Sequence, residues 1–359
     1  MKYVVALVAA IRVLWLDRKI KGDFAILSVK TSAGRTYVQL PITADTESKA
    51  KLSLFWKSRL GHAVVQRVED IVTSERTFIV LENYGEELIP TKGAWLSGWL
   101  GDRPEHFGYS ENHRVSLSNG TSALQVLGDK KRWIIHIHGR KASYAETLRN
   151  FKQFSELGFS QLAISHETDP MPLGLGGTRS ELGATEWKQL EVAVKHARSQ
   201  GAEKIILFGW SLGGLFVNQF LAHSKETSAI VAAVFDSPLL DYRGTLQLQA
   251  GRTGVDRSIV DRTIRLITSS KIIRILGFKN VPIESLSALN SPLPIQIPSL
   301  LFHSSNDGYI SMNGVYRYQE LNPKTKLVEI VGARHCRLFN EDTEKYQRAI
   351  ADFVASNQI

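Results

Sequence analysis

Short apolar runs alternate with long amphipathic helical patterns over the last two thirds of this chain. The runs have the length and residue types of buried strands, and they occupy residues 133–137, 161–165, 204–208, 230–235, 299–303 and 326–330. Apolar residues recur at helical spacing between two of the runs, at 187–197, and again after the last run, at 346–353. Strands that alternate with helices pack as a mostly parallel sheet with helices on both faces. The pattern therefore predicts the α/β class.

The N-terminal third has a different pattern, of short alternating runs separated by turn residues, as at 25–29, 36–40 and 77–81. It predicts a small β-rich accessory domain over residues 22–104, which a stretch rich in Gly, Pro and Trp at 93–104 separates from a larger domain over 105–359. Such a region could hold at most two propeller blades of about 40 to 45 residues each, which excludes a β-propeller gate.

Within the larger domain, one connection between strands is far longer than the usual 2 to 6 residues. It runs over residues 239–298, and we predict that it forms a helical cap insertion over the carboxyl edge of the sheet. A second, glycine-rich connection at 174–180 superficially resembles a phosphate loop but lacks its lysine motif. We interpret it as a loop near the pocket.

The first 21 residues form an apolar segment whose interpretation stays open. Residues 3–16 are apolar except for Arg12, whereas a spanning helix needs about 20 apolar residues and a charge at mid-membrane costs at least ~2.5 kcal/mol. Small residues that could end a signal peptide come too early. An interfacial or partly buried helix and a degenerate membrane anchor remain, so the protein is expected in the cytoplasm or associated with a membrane.

Composition excludes several classes. With 43% hydrophobic and 22% charged residues, the chain is typical of a soluble globular protein rather than a disordered, collagenous or multi-span membrane protein. Its single cysteine, Cys336, permits no intrachain disulfide and no cysteine cluster for a metal. The net charge of +9 favours encounter with anionic surfaces. Residues 241–279 hold eight basic and three acidic residues, which indicates either a solvated helical face or a basic cap that meets lipid headgroups or an acidic substrate.

The run at 204–208 leads directly into the motif G-x-S-x-G, with Ser211 at its centre and a helical pattern behind it. This context is typical of a nucleophile elbow, in which the serine stands on a sharp turn between strand and helix. Side chains two positions before and after the serine would clash, which explains Gly209 and Gly213. The motif arises by chance in about one chain in ten of this length, so a plain glycine-rich turn is the alternative.

Serine needs a general base that is oriented by an acid. His335 follows the run at 326–330 and Asp307 follows the run at 299–303, so both lie at the carboxyl edge where ligands bind in parallel sheets. The chain order Ser, Asp, His is that of α/β-hydrolases. A surface-loop role for His335 and an Asx-turn role for Asp307 are the alternatives. Asp236, at the end of the run at 230–235, is a rival acid, and we favour Asp307.

An anionic tetrahedral intermediate also needs hydrogen-bond donors. We predict the backbone amides of Leu212, directly after the serine, and of Arg140, in the loop after the run at 133–137. A competing interpretation is a metal site on His136 and His138, but no carboxylate is placed to complete it, and His303 could join only if the strands adjoined. We expect no metal and no cofactor.

From about residue 105 to the C-terminus, the chain resembles the α/β-hydrolase superfamily. The segments that carry the resemblance are IHIHGR at 135–140, LGATEW at 182–187, GWSLGG at 209–214 and GARH at 332–335. They look most like a group of uncharacterised actinobacterial serine hydrolases, similar to the serine-aminopeptidase-like and prolyl-oligopeptidase-like branches. The resemblance implies catalytic roles for Ser211, Asp307 and His335, and an N-terminal anchor before a β-rich segment. The short segment 1–21 and the Ser304-Ser305 pair depart from the group.

Together these features predict a serine hydrolase that cleaves carboxylic esters through an acyl-enzyme. A peptidase or aminopeptidase of the same fold is the first alternative, and a non-catalytic scaffold that binds a membrane surface is the second. The expected partners are a small acyl ester or a short peptide, with an anionic membrane surface as a candidate, and nucleic acid is not expected. The sequence makes no prediction of oligomeric state.

Overall fold

The computed structural model describes residues 2–16, 22–68, 74–166, 169, 179–290 and 292–359. They form two β-sheets, one of seven strands and one of eight. Helix α1 comes first, at Lys2–Leu14. Its buried residues Ala6, Ala10 and Leu14 recur every four positions, so one face of the helix packs against the rest of the protein. No helix within the described residues has the length and apolarity that crossing a bilayer requires.

The first sheet is entirely antiparallel, with the strand order β1-β7-β4-β5-β6-β3-β2. Its strands are β1 (Phe24–Ile26), β2 (Ser28–Ser32), β3 (Arg35–Pro41), β4 (Lys51–Trp56), β5 (Gly61–Arg67), β6 (Glu75–Gly85) and β7 (Thr91–Ser97). Alternate residues of these strands, such as Leu52, Leu54 and Trp56 of β4, share one apolar core. The N-terminal third is therefore β-rich, as its alternating runs predict.

The second sheet has the order β15-β14-β13-β12-β10-β11-β9-β8. Its strands are β8 (Arg114–Ser116), β9 (Ser122–Val126), β10 (Asp129–Ile137), β11 (Phe159–Ile164), β12 (Lys204–Trp210), β13 (Ile230–Asp236), β14 (Ser299–His303) and β15 (Thr325–Glu329). Strands β10 to β15 run parallel, whereas β9 and β8 are antiparallel additions at one edge. The six predicted runs correspond to the six parallel strands.

Helices cover both faces of this sheet. They are α2 (Phe151–Glu156), α3 (Trp187–Ser199), α4 (Leu212–His223), α5 (Tyr242–Arg252), α6 (Arg257–Ser269), α7 (Lys271–Ile275), α8 (Met312–Leu321), α9 (Leu338–Glu341) and α10 (Thr343–Ser356). In β12, Ile205 and Leu207 face the core that contains α3 and α4, whereas Ile206 and Phe208 face the core that contains α10. Both predicted amphipathic helices, α3 and α10, bury their apolar faces.

The long connection at 239–298 contains α5, α6 and α7, so it is helical as predicted. Helix α1 packs along α6, and the hydroxyl of Thr263 lies 3.4 Å from the Ala6 carbonyl. Residues 2–14 of the N-terminal segment therefore form a partly buried helix that packs on the helical insertion. The predicted division into units 22–104 and 105–359 stays a prediction. In the glycine-rich segment at 174–180, residues 174–178 lie outside the described residues.

Candidate active site

Ser211 stands on a turn that joins β12 directly to α4. Its φ of 48° lies in the left-handed region, which a residue with a side chain rarely adopts. The turn is held on both sides, because the Ser211 amide donates to the Asp236 carbonyl at 3.0 Å and the Ser211 carbonyl accepts from the Leu239 amide at 2.8 Å. Backbone strain of this kind persists only where the surrounding structure enforces it, and it is common at functional sites.

The glycines of the motif are required by close backbone contacts. A Cβ on Gly209 would lie 2.6 Å from the Gly213 carbonyl oxygen, and a Cβ on Gly213 would lie 2.1 Å from the Ile137 carbonyl oxygen. Both distances are far below van der Waals contact, so only glycine fits. A Cβ on Gly214 would meet the side chain of Pro238 at 2.7 Å, which explains the third glycine.

The structure brings Ser211, Asp307 and His335 into one hydrogen-bonded chain. His335 Nε2 lies 2.8 Å from Ser211 Oγ, and His335 Nδ1 lies 2.7 Å from Asp307 Oδ2. The other carboxylate oxygen of Asp307 accepts from the backbone amides of Tyr309 and Ile310 at 2.8 and 2.7 Å. The three side chains follow β12, β14 and β15, whose carboxyl ends meet at one edge of the sheet.

The ionisation of these groups follows from their contacts. Burial alone would raise the pKa of Asp307, but the charge and hydrogen bond of His335 lower it to about 2. Burial would likewise lower the pKa of His335, but attraction to Asp307 and the hydrogen bond with it raise that pKa above its ordinary value. Asp307 is therefore ionised at neutral pH and stabilises the protonated form of His335.

The rival acid Asp236 points elsewhere. Its Oδ2 accepts a hydrogen bond of 2.9 Å from the Tyr346 hydroxyl and lies 3.9 Å from Arg149 Nη2. Burial raises the pKa of Asp236 to about 6, although Arg149 and the Tyr346 hydrogen bond oppose the rise. Of the two candidate acids, only Asp307 is hydrogen-bonded to His335 among the described contacts.

Leu212 and Arg140 line the same cavity as Ser211. Leu212 is the first residue of α4, and Arg140 lies in the loop after β10; their backbone amides are the two donors that the sequence predicts. Neither amide has a hydrogen-bond acceptor among the residues that the structure describes. A helix N-terminus carries partial positive charge, and Leu212 lies at the N-terminus of α4 beside Ser211.

Glu146 is a buried residue near this loop that the sequence reasoning missed. Its Oε2 accepts a hydrogen bond of 3.0 Å from the Gly139 amide, and a Cβ on Gly139 would lie only 3.2 Å from the Ser211 Cβ. Burial raises the pKa of Glu146, opposed by Arg149 and by the Gly139 amide. The one feature of the sequence that marks Glu146 is the spacing Ser143-x-x-Glu146, which is typical of a capping box at a helix N-terminus. The glutamate instead reaches back to the loop beside Ser211.

The predicted alternative of a metal on His136 and His138 is not supported by their contacts. His136 Nε2 faces Gln161 Oε1 at 3.2 Å, whereas His138 Nδ1 faces the Gly139 carbonyl at 2.8 Å. His303 could be a third ligand only if its strand, β14, adjoined β10. It does not, because β13 and β12 lie between β14 and β10 in the sheet.

A cavity of about 650 Å³ opens above Ser211, and other parts of the chain line it together with the loops at the carboxyl edge of the second sheet. The end of α1 contributes Val13, and α5 contributes Tyr242 and Leu246. The first sheet and its loops contribute Trp95 and Asp45. The predicted accessory region therefore forms part of the cavity wall, which its strand pattern alone could not indicate.

Asp45 also reaches the loop that carries His335. It accepts from Arg334 Nε at 2.8 Å and lies 3.0 Å from Arg337 Nη1, so it is bound by a residue on each side of His335. Arg337 in turn donates to the Leu96 carbonyl at 2.8 Å. These contacts fix the His335 loop against the first sheet.

Comparison with known proteins rests on structure alone, because no protein-family model and no curated protein matches the chain. An esterase from Pyrococcus furiosus, solved in two crystal forms, is 17% identical in sequence to this chain. The two alignments cover 71% of this chain and 94% or 93% of the esterase chain, with TM-scores of 0.51 and 0.52. Mouse alpha/beta hydrolase domain-containing protein 10 is 15% identical, with 68% and 98% coverage and a TM-score of 0.50. The chain has the α/β-hydrolase fold. The predicted fold class is thus confirmed, and the α/β-hydrolase sheet carries Ser211 at the end of β12.

Proposed function

We propose that this protein is a serine hydrolase that cleaves carboxylic esters by acyl transfer. The observation that carries the proposal is the continuous chain from Ser211 Oγ through His335 to Asp307, with separations of 2.8 and 2.7 Å. Such a chain activates a serine that is otherwise a poor nucleophile. The proposal places the catalytic residues in a domain over residues 105–359, with residues 22–104 as an accessory domain.

In the proposed mechanism, His335 Nε2 takes the proton from Ser211 as Oγ attacks the ester carbonyl carbon. Asp307 stabilises the imidazolium, and the backbone amides of Leu212 and Arg140 hold the oxyanion. The bond from carbon to the leaving alcohol oxygen breaks, and His335 gives its proton to that oxygen. Water then attacks the acyl-enzyme with His335 as base, which releases the carboxylic acid and restores the serine. The reaction requires only these residues and water.

An ester substrate is supported by the walls of the cavity. Leu212, Leu239 and Leu246 line it together with aromatic side chains, and apolar walls suit an acyl or alkyl group. One of the two named solved structures with a similar fold, the Pyrococcus furiosus protein, is an esterase. We also propose that the chain belongs with the actinobacterial serine hydrolases that its motifs resemble.

The decisive experiment is labelling with a fluorophosphonate probe, which reacts only with an activated serine. We expect stoichiometric labelling of the wild type and none in Ser211→Ala or His335→Ala. Ser305→Ala is the matched control, because it removes an exposed hydroxyl from the loop that carries Asp307. It should label like the wild type. Absence of labelling in folded wild-type protein, verified by circular dichroism, would contradict the proposal.

A peptidase or aminopeptidase is a second candidate, favoured by one observation. Asp23 lines the cavity near Asp45, and burial together with the charge of Asp45 raises its pKa. Asp45 is already paired with two arginines, whereas the carboxylate of Asp23 could receive a substrate amino group. If aminoacyl anilides are cleaved faster than esters, and Asp23→Asn removes that preference, the peptidase assignment replaces the esterase assignment.

We further propose an anionic membrane surface as a partner. The outer face of α1 exposes Val4, Val5 and Val8, with Val4 61% exposed, and Tyr3 shares a surface hollow with Arg262 and Arg265. An apolar helix face beside basic residues suits an interfacial helix. Binding to phosphatidylserine vesicles that disappears in high salt and persists in Ser211→Ala would support this partner. Binding unchanged in Val4→Glu/Val8→Glu would contradict it.

A further inference from the structure

A cluster of two histidines and one aspartate lies away from Ser211, on the first sheet. His62 is on β5, while Asp102 and His106 lie in the segment that leads from the first sheet to the second. His62 and Asp102 are buried and His106 is half-buried. One ligand atom from each residue lies within 4.8 Å of the other two. We propose that His62, Asp102 and His106 bind a divalent metal ion of the zinc type.

The first argument is a buried nitrogen without a partner. His62 is only 2% exposed, and its Nε2 is hydrogen-bonded to Ser53 Oγ at 2.9 Å. Among the described residues, no group makes a hydrogen bond to His62 Nδ1, which lies 3.8 Å from Asp102 Oδ1. A buried polar atom normally has a partner. A cation between this nitrogen and the carboxylate would supply it.

The second argument is the spacing of the ligand atoms. Zinc bonds of about 2.0 to 2.2 Å in a tetrahedral arrangement place neighbouring ligand atoms about 3.3 to 3.5 Å apart. His106 Nδ1 lies 3.3 Å from Asp102 Oδ1, and the corresponding distance from His62 Nδ1 is 3.8 Å. The nitrogen of His106 accepts a long hydrogen bond of 3.3 Å from the Asp102 amide, which the stronger metal bond would replace. Two of the three separations therefore lie within about half an ångström of those in a zinc site.

The third argument is the support around the two imidazoles. The His62 ring stacks on Phe55 at 4.5 Å between centroids, and the His106 ring stacks on Tyr84 at 3.8 Å. The ring nitrogen of His62 that faces away from the cluster, Nε2, is hydrogen-bonded to Ser53 Oγ. The second ring nitrogen of a metal-binding histidine usually makes such a hydrogen bond. The cluster opens into a cleft of about 330 Å³, where water can complete the coordination.

The ligands and charges select the type of ion. Two imidazoles favour zinc and its transition-metal neighbours, whereas magnesium and calcium prefer oxygen ligands. Arg59 lines the same cleft, and its charge interacts with Asp102. A nearby cation weakens purely electrostatic binding of a dication, so ions that form strong bonds to imidazole nitrogen are favoured further.

Metal binding would fasten the segment after β7 to β5, because Asp102 and His106 belong to that segment and His62 belongs to the strand. The inference does not rest on the proposed hydrolase activity. We therefore expect chelation to lower the melting temperature of the protein.

The test uses the full chain without a histidine tag, freed of metal by chelation and dialysis. Calorimetric titration with Zn²⁺ should show about one ion bound per chain, and titration with Mg²⁺ should show none. Co²⁺ bound in place of Zn²⁺ should give visible absorption bands with the intensity that is typical of a low coordination number and of nitrogen and oxygen ligands. The Zn²⁺ affinity should fall at least about tenfold in Asp102→Asn and in His106→Gln.

His223→Gln is the matched control, because it removes an exposed histidine at the end of α4. It should bind Zn²⁺ like the wild type. Circular dichroism and the urea denaturation midpoint of each metal-free variant show that a loss of binding does not come from unfolding. The proposal is overturned if wild-type protein binds no Zn²⁺, or if Asp102→Asn and His106→Gln bind it as tightly as the wild type.

Discussion

Arg140 donates a hydrogen bond of 2.6 Å from Nη2 to the backbone carbonyl of Val13, which joins the end of α1 to the loop beside Ser211. The same nitrogen lies 3.2 Å from the Trp15 carbonyl. Carbonyls at the end of a helix lack intrahelical donors and attract a cation. One residue thus fixes the N-terminal helix through its side chain and also lines the cavity above Ser211.

The docking of α1 predicts a contrast between its two faces. Ala10→Leu places a larger side chain at a fully buried position and should lower the free energy of unfolding by about 1 to 3 kcal/mol. Val8→Leu, at a position that is 45% exposed, should change it by less than about 0.5 kcal/mol. Urea denaturation measures both. Equal effects would show that α1 does not pack on the protein in solution.

Asp307→Asn tests the orientation and charge of His335. The amide keeps the shape of the carboxylate but favours the wrong tautomer of the imidazole, and in a related triad this lowers kcat by about 10⁴-fold. A similar loss is expected here with the best ester substrate.

The pH profile gives the same variant a second readout. His335 must be neutral to accept the serine proton, and Asp307 raises its pKa, so wild-type kcat/KM should fall as the pH drops through that raised value. In Asp307→Asn this acid limb should move to lower pH. Asp236→Asn is the control, because Asp236 makes a smaller contribution to the same pKa. A larger shift in Asp236→Asn would reverse the assignment of the acid.

The main sheet and the proximity of Ser211, Asp307 and His335 could be predicted because both depend on local pattern. Each parallel strand is a compact apolar run, and the carboxyl ends of such strands necessarily share an edge, which brings Ser211, Asp307 and His335 together. Strands β8 and β9 escaped prediction because they are short and half polar. The contact of Asp45 with Arg334 also escaped, since nothing in the sequence marks two residues so far apart as partners.

Glu146 is expected to act as a positioning residue through the Gly139 amide. Glu146→Ala removes the acceptor and should let the loop with the Arg140 amide move, lowering kcat by about 10²-fold with little change in KM, as for loss of one oxyanion donor. Glu146→Gln keeps an oxygen at the same place and should restore most of the activity. Equal losses in both variants would show that the charge of Glu146, rather than its hydrogen bond, is required.

The glycines provide a final prediction, on the tightness of the turn at Ser211. In Gly213→Ala the new methyl group would lie 2.1 Å from the Ile137 carbonyl oxygen, so backbone must move and we expect a loss of stability of about 3 kcal/mol or more. Gly251→Ala is the matched control, because Gly251 is helical and nothing lies within 4 Å of its added Cβ. It should stabilise the protein by about 0.4 to 1 kcal/mol, since alanine restricts the unfolded chain. Urea denaturation measures the free energy of unfolding of both variants. Equal values for Gly213→Ala and Gly251→Ala would contradict the tight turn described at Ser211.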